Sequence, residues 1–93
     1  MILSFACKET ETIWEGRRSR KLPEMIQERA LRKLRQLDAA RSLEELRVPP
    51  SNHLEVLRGD RKGSMSIRVN GQWRLCFEWN GTDALMVKII DYH

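Results

Sequence analysis

The printed sequence finishes with three side chains that can hold, orient or move a proton, namely Asp91, Tyr92 and His93. They follow the apolar run from Met86 to Ile90, and strand-like alternation places Tyr92 on the same face as Lys88. Beside a phosphate, histidine can act as general acid or base, and arginines can stabilise the charge of a phosphorane. These side chains suit cleavage of RNA by its own 2′-hydroxyl. No cluster of carboxylates is available to hold Mg²⁺, so we predict chemistry without a metal.

Two arginines that could bind such a phosphate lie on neighbouring predicted strands, on either side of Asn70-Gly71-Gln72. A two-residue turn would mix polar and apolar side chains on both faces, whereas a three-residue loop gives one continuous apolar face. That loop sets Arg68 opposite Arg74, and the same loop length at the next turn would bring Lys88 beside Arg74. Because like charges across a strand pair repel, one interpretation is an anion bound between the three cations. The other is three splayed, solvated side chains.

The first half of the chain has helical periods, and the second half has the period of two that is typical of strands. After His53 the pattern predicts an antiparallel meander with one apolar and one polar face. Helices are predicted from Glu9 to Arg17 with a stop near Gly16, from about Pro23 with Ile26, Ala30, Leu34 and Leu37 on one face, and from Ser42 to about Arg47. Met1 to Phe5 is a further strand candidate, and Ser51-Asn52 is predicted to be loop. Helices on one face of such a sheet make a single α+β domain, residues 1–93.

Size and composition limit the classes of function. The chain has 93 residues and a formal net charge of +4, which is enough for one small core. A site must therefore lie on an open face or in a shallow groove. No apolar stretch approaches the roughly 20 residues of a membrane span, and no secretory signal is present, so we expect a cytoplasmic protein without a membrane partner. Cys7 and Cys76 fit neither a disulfide framework nor a zinc site, so we expect free thiols and no cofactor.

Basic residues are concentrated in two segments. Eight lysines and arginines in residues 16–37 accompany two glutamates, and five in residues 58–74 accompany one aspartate. Clustered arginine indicates a polyanionic partner, because the guanidinium group can bind phosphate through two parallel hydrogen bonds. The second segment makes Arg58, Arg61 and Lys62 candidates for phosphate or RNA binding. For the first segment, a solvated helix face is the alternative interpretation.

Four segments resemble the HigB toxins of the RelE/ParE superfamily. They are Met1 to Phe5, Asn52 to Gly63, Ser66 to Phe77 and Ile90 to His93, so the similarity extends over essentially the whole chain. It implies a RelE-like fold and a bacterial toxin that cleaves mRNA in the A site of the 30S ribosomal subunit. It also implies a HigA-type antitoxin with a helix-turn-helix domain, which would connect the toxin indirectly to operator DNA.

The same resemblance implies roles for individual residues. Arg74 matches the arginine that contacts the scissile phosphate, and the final three residues match the catalytic cluster of the family. On this basis His93 is the general acid or base, Tyr92 orients the nucleotide or assists proton transfer, and Asp91 positions His93. Asp91 as a cap of the strand end is an equal alternative.

Two positions depart from the family pattern. Arg58 stands where many relatives that cleave mRNA have lysine, and we expect it to stabilise the phosphorane together with Arg68 and Arg74. Glu55 occupies the place of a histidine that is catalytic in some relatives. His53 would share its strand face about 6 to 7 Å away. Either His53 or Glu55 then acts as the base, or the nuclease is slow. We expect weak or moderate activity, because a carboxylate repels phosphate.

Two other functions fit parts of the sequence. ParE-like relatives keep the fold and act on DNA gyrase without the catalytic residues, although Arg74, Tyr92 and His93 argue against this. A non-catalytic module that binds RNA or ribosomes would need the basic charge alone.

Overall fold

Two helices precede a four-stranded sheet in the computed structural model, which describes residues 1–56 and 63–91. In chain order the elements are helix α1 (Lys8–Trp14), helix α2 (Glu24–Ala39), two 3₁₀ helices (Leu43–Arg47 and Pro50–Asn52) and strands β1 (Glu55–Val56), β2 (Ser64–Arg68), β3 (Trp73–Trp79) and β4 (Ala84–Asp91). The four strands pair antiparallel in the order β1-β2-β3-β4. This arrangement confirms the predicted α+β fold. No helix among the described residues is long and apolar enough to cross a membrane.

The apolar face of α2 forms the centre of the core, as predicted. Its buried members are Ile26, Ala30, Leu34 and Leu37, and they share the core with Ile67, Leu75, Phe77 and Val87 of the sheet. Truncating a buried leucine such as Leu34 to alanine would lower the free energy of unfolding by about 2–5 kcal/mol. Pro23 lies immediately before α2, where its missing N–H leaves no helical hydrogen bond unmade.

Helix α1 is shorter than predicted and ends two residues before Gly16. Gly16 has a φ of +83°, a left-handed conformation that glycine adopts without strain. Ile13 is buried and Trp14 packs against the core, so both face inward as expected. The hydroxyl of Thr10 accepts a hydrogen bond from the N–H of Ile89 at 2.9 Å, which joins α1 to β4.

The N-terminal segment runs parallel to β4. Isolated bridges link Ile2 with Ala84 and Phe5 with Val87. The N–H of Leu3 donates to the carbonyl of Ala84 at 2.8 Å. The predicted strand from Met1 to Phe5 is therefore present as irregular pairing rather than as a continuous strand.

The segment between α2 and β1 combines a confirmed prediction with a correction. Ser42 and Glu45 form the predicted capping box, although the helix that follows is 3₁₀ rather than α. Ser51-Asn52, predicted to be loop, belongs to the second 3₁₀ helix. Asn52 is fully buried, and hydrogen bonds to partners inside the protein offset the cost of burying its polar side chain.

The register of the β2–β3 hairpin matches the prediction. Arg68 lies opposite Arg74, and the apolar side chains pair across the hairpin in the expected order. The loop has three residues because the side chain of Asn70 accepts hydrogen bonds from the N–H groups of Gln72 and Trp73, each at 2.8 Å. This side-chain cap fixes the turn that the hydrophobic pattern required.

The predicted position of Lys88 is wrong by two residues. Ile90 lies opposite Arg74, and Lys88 lies opposite Cys76. Because the shift is even, Lys88 keeps the sheet face of Arg74 but is displaced along the strand. Lys88 therefore does not complete a row of cations with Arg68 and Arg74.

Two features of the β3–β4 connection cause this shift. Trp79 pairs with Ala84, so the loop has four residues rather than three. The side chain of Asn80 stabilises it by accepting a hydrogen bond from the N–H of Asp83 at 2.8 Å. A β-bulge at Met86, which has a φ of +53°, adds the second residue.

Candidate active site

Arg74 lies on the sheet face opposite the core, and only 7% of the residue is exposed. Ser66 and Cys76 are buried on the same face. The sequence predicted an open polar face here, and the structure corrects that prediction. The face is partly closed because the Arg74 side chain extends across β2 toward the segment that precedes β1.

The guanidinium group of Arg74 is held by several protein oxygens. Its Nε donates to the hydroxyl of Ser66 at 2.8 Å, and its Nη2 donates to the Ser66 carbonyl at 3.2 Å. Nη2 also donates to the carbonyl of His53. Nη1 lies 3.8 Å from Oε1 of Glu55, which is close enough for an ion pair. These contacts fix the cation before any ligand binds, and such preorganisation lets a donor stabilise developing charge.

The backbone on two sides of Arg74 explains this geometry. On β2, Ser66 pairs with Cys76 and is therefore a diagonal neighbour of Arg74. On the other side, the second 3₁₀ helix ends at His53, which adopts a left-handed conformation with a φ of +44°. This turn directs the His53 carbonyl toward the guanidinium group. The main chain of His53 thus positions Arg74, a role that the sequence did not indicate.

A shallow groove of about 310 Å³, here called the Arg74 groove, opens beside this cation. Its lining residues are His53, Glu55, Arg68, Asn70, Gly71 and Arg74. The groove therefore brings together four of the predicted site residues, namely His53, Glu55, Arg68 and Arg74. The groove has the cations to bind a phosphate and two candidate bases next to them.

Arg68 and Arg74 are partners across the β2–β3 hairpin, as predicted. Although the two residues are directly opposite, the guanidinium group of Arg74 turns away toward Ser66 and Glu55. The carboxylate of Glu55 supplies the opposing charge. Arg68 is half-buried at the other side of the groove.

Asn52 is a site residue that sequence analysis missed. Its amide Nδ2 donates to the Leu46 carbonyl at 3.0 Å and to Oε1 of Gln36 at 3.2 Å, and its Oδ1 accepts a hydrogen bond from Nζ of Lys33. The side chain thereby joins α2 to the turn that presents His53. The only sequence feature that could have indicated this role is its place between Pro49-Pro50 and His53.

The surroundings of Lys33 on α2 change the pKa of its side chain. Burial, followed by the nearby charges of Arg29 and Arg32, lowers the pKa of its ammonium group below the usual 10.5. Its hydrogen bond to Asn52 offsets part of the cost of burying the charge.

Two predicted site residues lie outside the Arg74 groove. Lys88 is opposite Cys76 and does not line it. Asp91 is opposite Trp73 and therefore shares the core-facing side of the sheet rather than the face of Arg74. Its carboxylate accepts a hydrogen bond from Nε2 of Gln72 at 3.1 Å.

The remaining predicted site residues lie outside the described residues. They are Arg58, Arg61, Lys62, Tyr92 and His93. Within residues 1–56 and 63–91, no group of three or more His, Cys, Asp or Glu side chains is placed to hold a metal ion.

The chain is similar to known toxins in sequence and in fold. Residues 3–93 match the family described as RelE-like toxin of type II toxin-antitoxin system HigB. The chain is 46% identical to Toxin HigB-1 of Vibrio cholerae over 80 residues, which are 85% of this chain and 84% of that protein. It is 32% identical to Endoribonuclease HigB of Proteus vulgaris over 93 residues, 100% of both chains. A YoeB/ParE toxin from Agrobacterium tumefaciens has the same fold, with a TM-score of 0.50 at 16% identity over 99% of this chain and 96% of that one.

Proposed function

We propose an RNA-cleaving activity for this chain, which belongs to the HigB-like family of RelE-like toxins from type II toxin–antitoxin systems. The observation that carries the proposal is Arg74, a cation that the protein itself holds rigidly at the floor of a groove. The relative from Proteus vulgaris, matched over its full length, is named as an endoribonuclease.

The reaction proposed is attack of a ribose 2′-oxygen on the adjacent phosphorus. A base takes the 2′-hydroxyl proton, the bond from phosphorus to the 5′-oxygen breaks, and an acid protonates that oxygen. The products are a 2′,3′-cyclic phosphate and a free 5′-hydroxyl, and the step needs no metal. Arg74 stabilises the added charge on the phosphorane, with Arg68 on the opposite side of the groove.

We assign the proton transfers to the end of the chain and to the rim of the groove. His93 acts as the acid and Tyr92 orients the nucleotide, while Arg58 adds positive charge. Glu55 or His53 acts as the base, since both line the Arg74 groove. Glu55 also pairs with Arg74, so an incoming phosphate must compete with this carboxylate. This competition supports the expectation of weak or moderate activity.

The message is cleaved on the ribosome in this proposal. The Arg74 groove is shallow, and 93 residues cannot enclose an RNA strand. The A site of the 30S subunit would supply the missing walls and present one phosphate at a time. The toxin would act in the cytoplasm and be held inactive by a helix-turn-helix antitoxin of the HigA type, which links it to operator DNA.

Primer extension on translating ribosomes tests this function. Purified wild-type protein should produce new 5′ ends at A-site codons of a defined message, whereas His93→Gln and Tyr92→Ala should not. Full cleavage by both variants would contradict the assignment. Uncut message with the wild type would favour a binding module, and DNA damage rather than translation arrest on expression would favour action on gyrase.

A further inference from the structure

A second groove, of about 480 Å³, lies between α2 and the β2–β3 hairpin. We call it the α2 groove, and the side chains that matter for its charge are Arg29, Arg32 and Lys33 from the helix and Arg68 from the sheet. Arg29, Arg32 and Lys33 have the spacing that places helical side chains on one face. The structure thus divides the first basic segment, because Arg35 of the same helix is exposed but does not line this groove.

No carboxylate among residues 1–56 and 63–91 neutralises the charges of the α2 groove. Within the described part of the chain, Arg29, Arg32 and Arg68 form no ion pair with a carboxylate, and Lys33 is bound by the neutral amide oxygen of Asn52. The lowered pKa of Lys33 has Arg29 and Arg32 among its causes, so the cations are close enough to repel one another. A dianionic or polyanionic ligand would relieve this repulsion.

The α2 groove adjoins the Arg74 groove. Arg68 and Asn70 line both grooves. An RNA strand that places one phosphate at Arg74 must carry its neighbouring phosphates away from that point, and the path past Arg68 leads to three further cations.

We propose that the α2 groove binds backbone phosphates of the same RNA strand, next to the phosphate at Arg74. This inference rests on the proposed function, since it extends the RNA site by a second set of contacts. Ser51 and Gln36 add neutral hydrogen-bonding groups to the lining. The binding is independent of sequence because the contacts go to phosphates rather than to bases.

The salt dependence of binding to an uncleavable strand tests the inference. The ligand is a 2′-O-methyl oligoadenylate, which lacks the nucleophile. Each phosphate contact to a single strand contributes about 0.7 to the slope of log K against log salt. Arg29→Ala combined with Arg32→Ala should therefore reduce the slope by about 1.4. Arg35→Ala combined with Arg41→Ala removes the same charge from exposed positions outside the groove and should reduce it by much less.

Three results would overturn the inference. The first is an equal reduction in both double variants, which would indicate general attraction by net charge. The second is failure of the wild type to bind the strand. The third is a double variant, Arg29→Ala with Arg32→Ala, that binds the strand as tightly as the wild type does. If this variant also sediments less with vacant 30S subunits, the groove binds ribosomal RNA instead. Because this test uses no cleavage, its failure is distinct from failure of the nuclease assay. Equal melting temperatures of the two double variants would exclude misfolding as the cause of a difference.

Discussion

The two grooves contain the same type of cation in contrasting surroundings. In the Arg74 groove, the protein buries the guanidinium group of Arg74 and binds it through Ser66, the His53 carbonyl and Glu55. In the α2 groove, Arg29 and Arg32 are exposed and form no ion pair with a carboxylate in the described residues. A cation held by several protein oxygens is suited to a charge that develops at one atom, whereas exposed cations are suited to contacts with any phosphate of a strand. We therefore expect replacement of the Arg74 guanidinium group to change mainly the cleavage rate, and replacement of Arg29 and Arg32 to change mainly the affinity for RNA.

Arg74→Lys should have the largest effect on the cleavage rate, because lysine keeps the positive charge but lacks the planar guanidinium group with its several N–H donors. Lysine has one ammonium group and cannot contact Ser66 and the His53 carbonyl while also facing a phosphate. We expect the cleavage rate on ribosomes to fall by about 10²–10³, the usual result of removing one preorganised donor. Binding of the uncleavable strand should change much less, since the charge remains.

The comparison variant is Arg68→Lys, directly across the hairpin. The side chain of Arg68 has no hydrogen bond or ion pair to other described residues, so exchange for lysine should reduce the rate far less than Arg74→Lys does. Equal losses in the two variants would mean that charge alone matters in the Arg74 groove. The contrast between a cation held by protein oxygens and a cation without such partners would then be wrong.

Asn52→Ala should have the next largest effect, and it should act on stability. The alanine variant leaves the Leu46 carbonyl and the half-buried ammonium group of Lys33 without this partner. Such unsatisfied groups cost about 1–3 kcal/mol. Urea denaturation should show this loss in the free energy of unfolding, and the exposed neighbour Ser51→Ala should show almost none. A stable Asn52→Ala protein with full cleavage would show that the turn positions His53 without the hydrogen bonds of the Asn52 side chain.

The pattern of hydrophobic residues in the sequence predicts the core and the register of the β2–β3 hairpin. The α2 stripe and the pairing of Arg68 with Arg74 follow from which side chains must be buried together. The position of Lys88 could not be predicted, because a four-residue loop and the bulge at Met86 both preserve the burial pattern. A pattern of period two is unchanged by a shift of two residues.

The site was predictable as a set of residue types but not as a set of contacts. Strand register indicates Arg74, the family resemblance adds Glu55 and His53, and the structure brings the three together. That Arg74 would be buried against Ser66 and a backbone carbonyl depends on the path of its long side chain, which strand alternation does not specify. The positioning role of Asn52 could not be predicted either, because its hydrogen-bond partners Gln36 and Leu46 are not its sequence neighbours.

The smallest expected change is a several-fold change in RNA binding by Glu55→Gln, a variant that also separates two roles of this side chain. The carboxylate lies at the guanidinium group that a phosphate would use, so its neutral amide should strengthen binding of the uncleavable strand several-fold. Glu78→Gln is the matched control, because Glu78 is exposed on the same strand face and lies outside the Arg74 groove. Fluorescence anisotropy with labelled 2′-O-methyl oligoadenylate measures both.

Cleavage by the same Glu55→Gln protein then identifies the base. If Glu55 only competes with phosphate, tighter binding is accompanied by an undiminished rate, and His53→Gln abolishes cleavage instead. If Glu55 takes the 2′-hydroxyl proton, tighter binding is accompanied by loss of cleavage. Unchanged binding in Glu55→Gln would show that the ion pair at 3.8 Å does not compete with substrate, and the slow rate expected for this toxin would then need another cause.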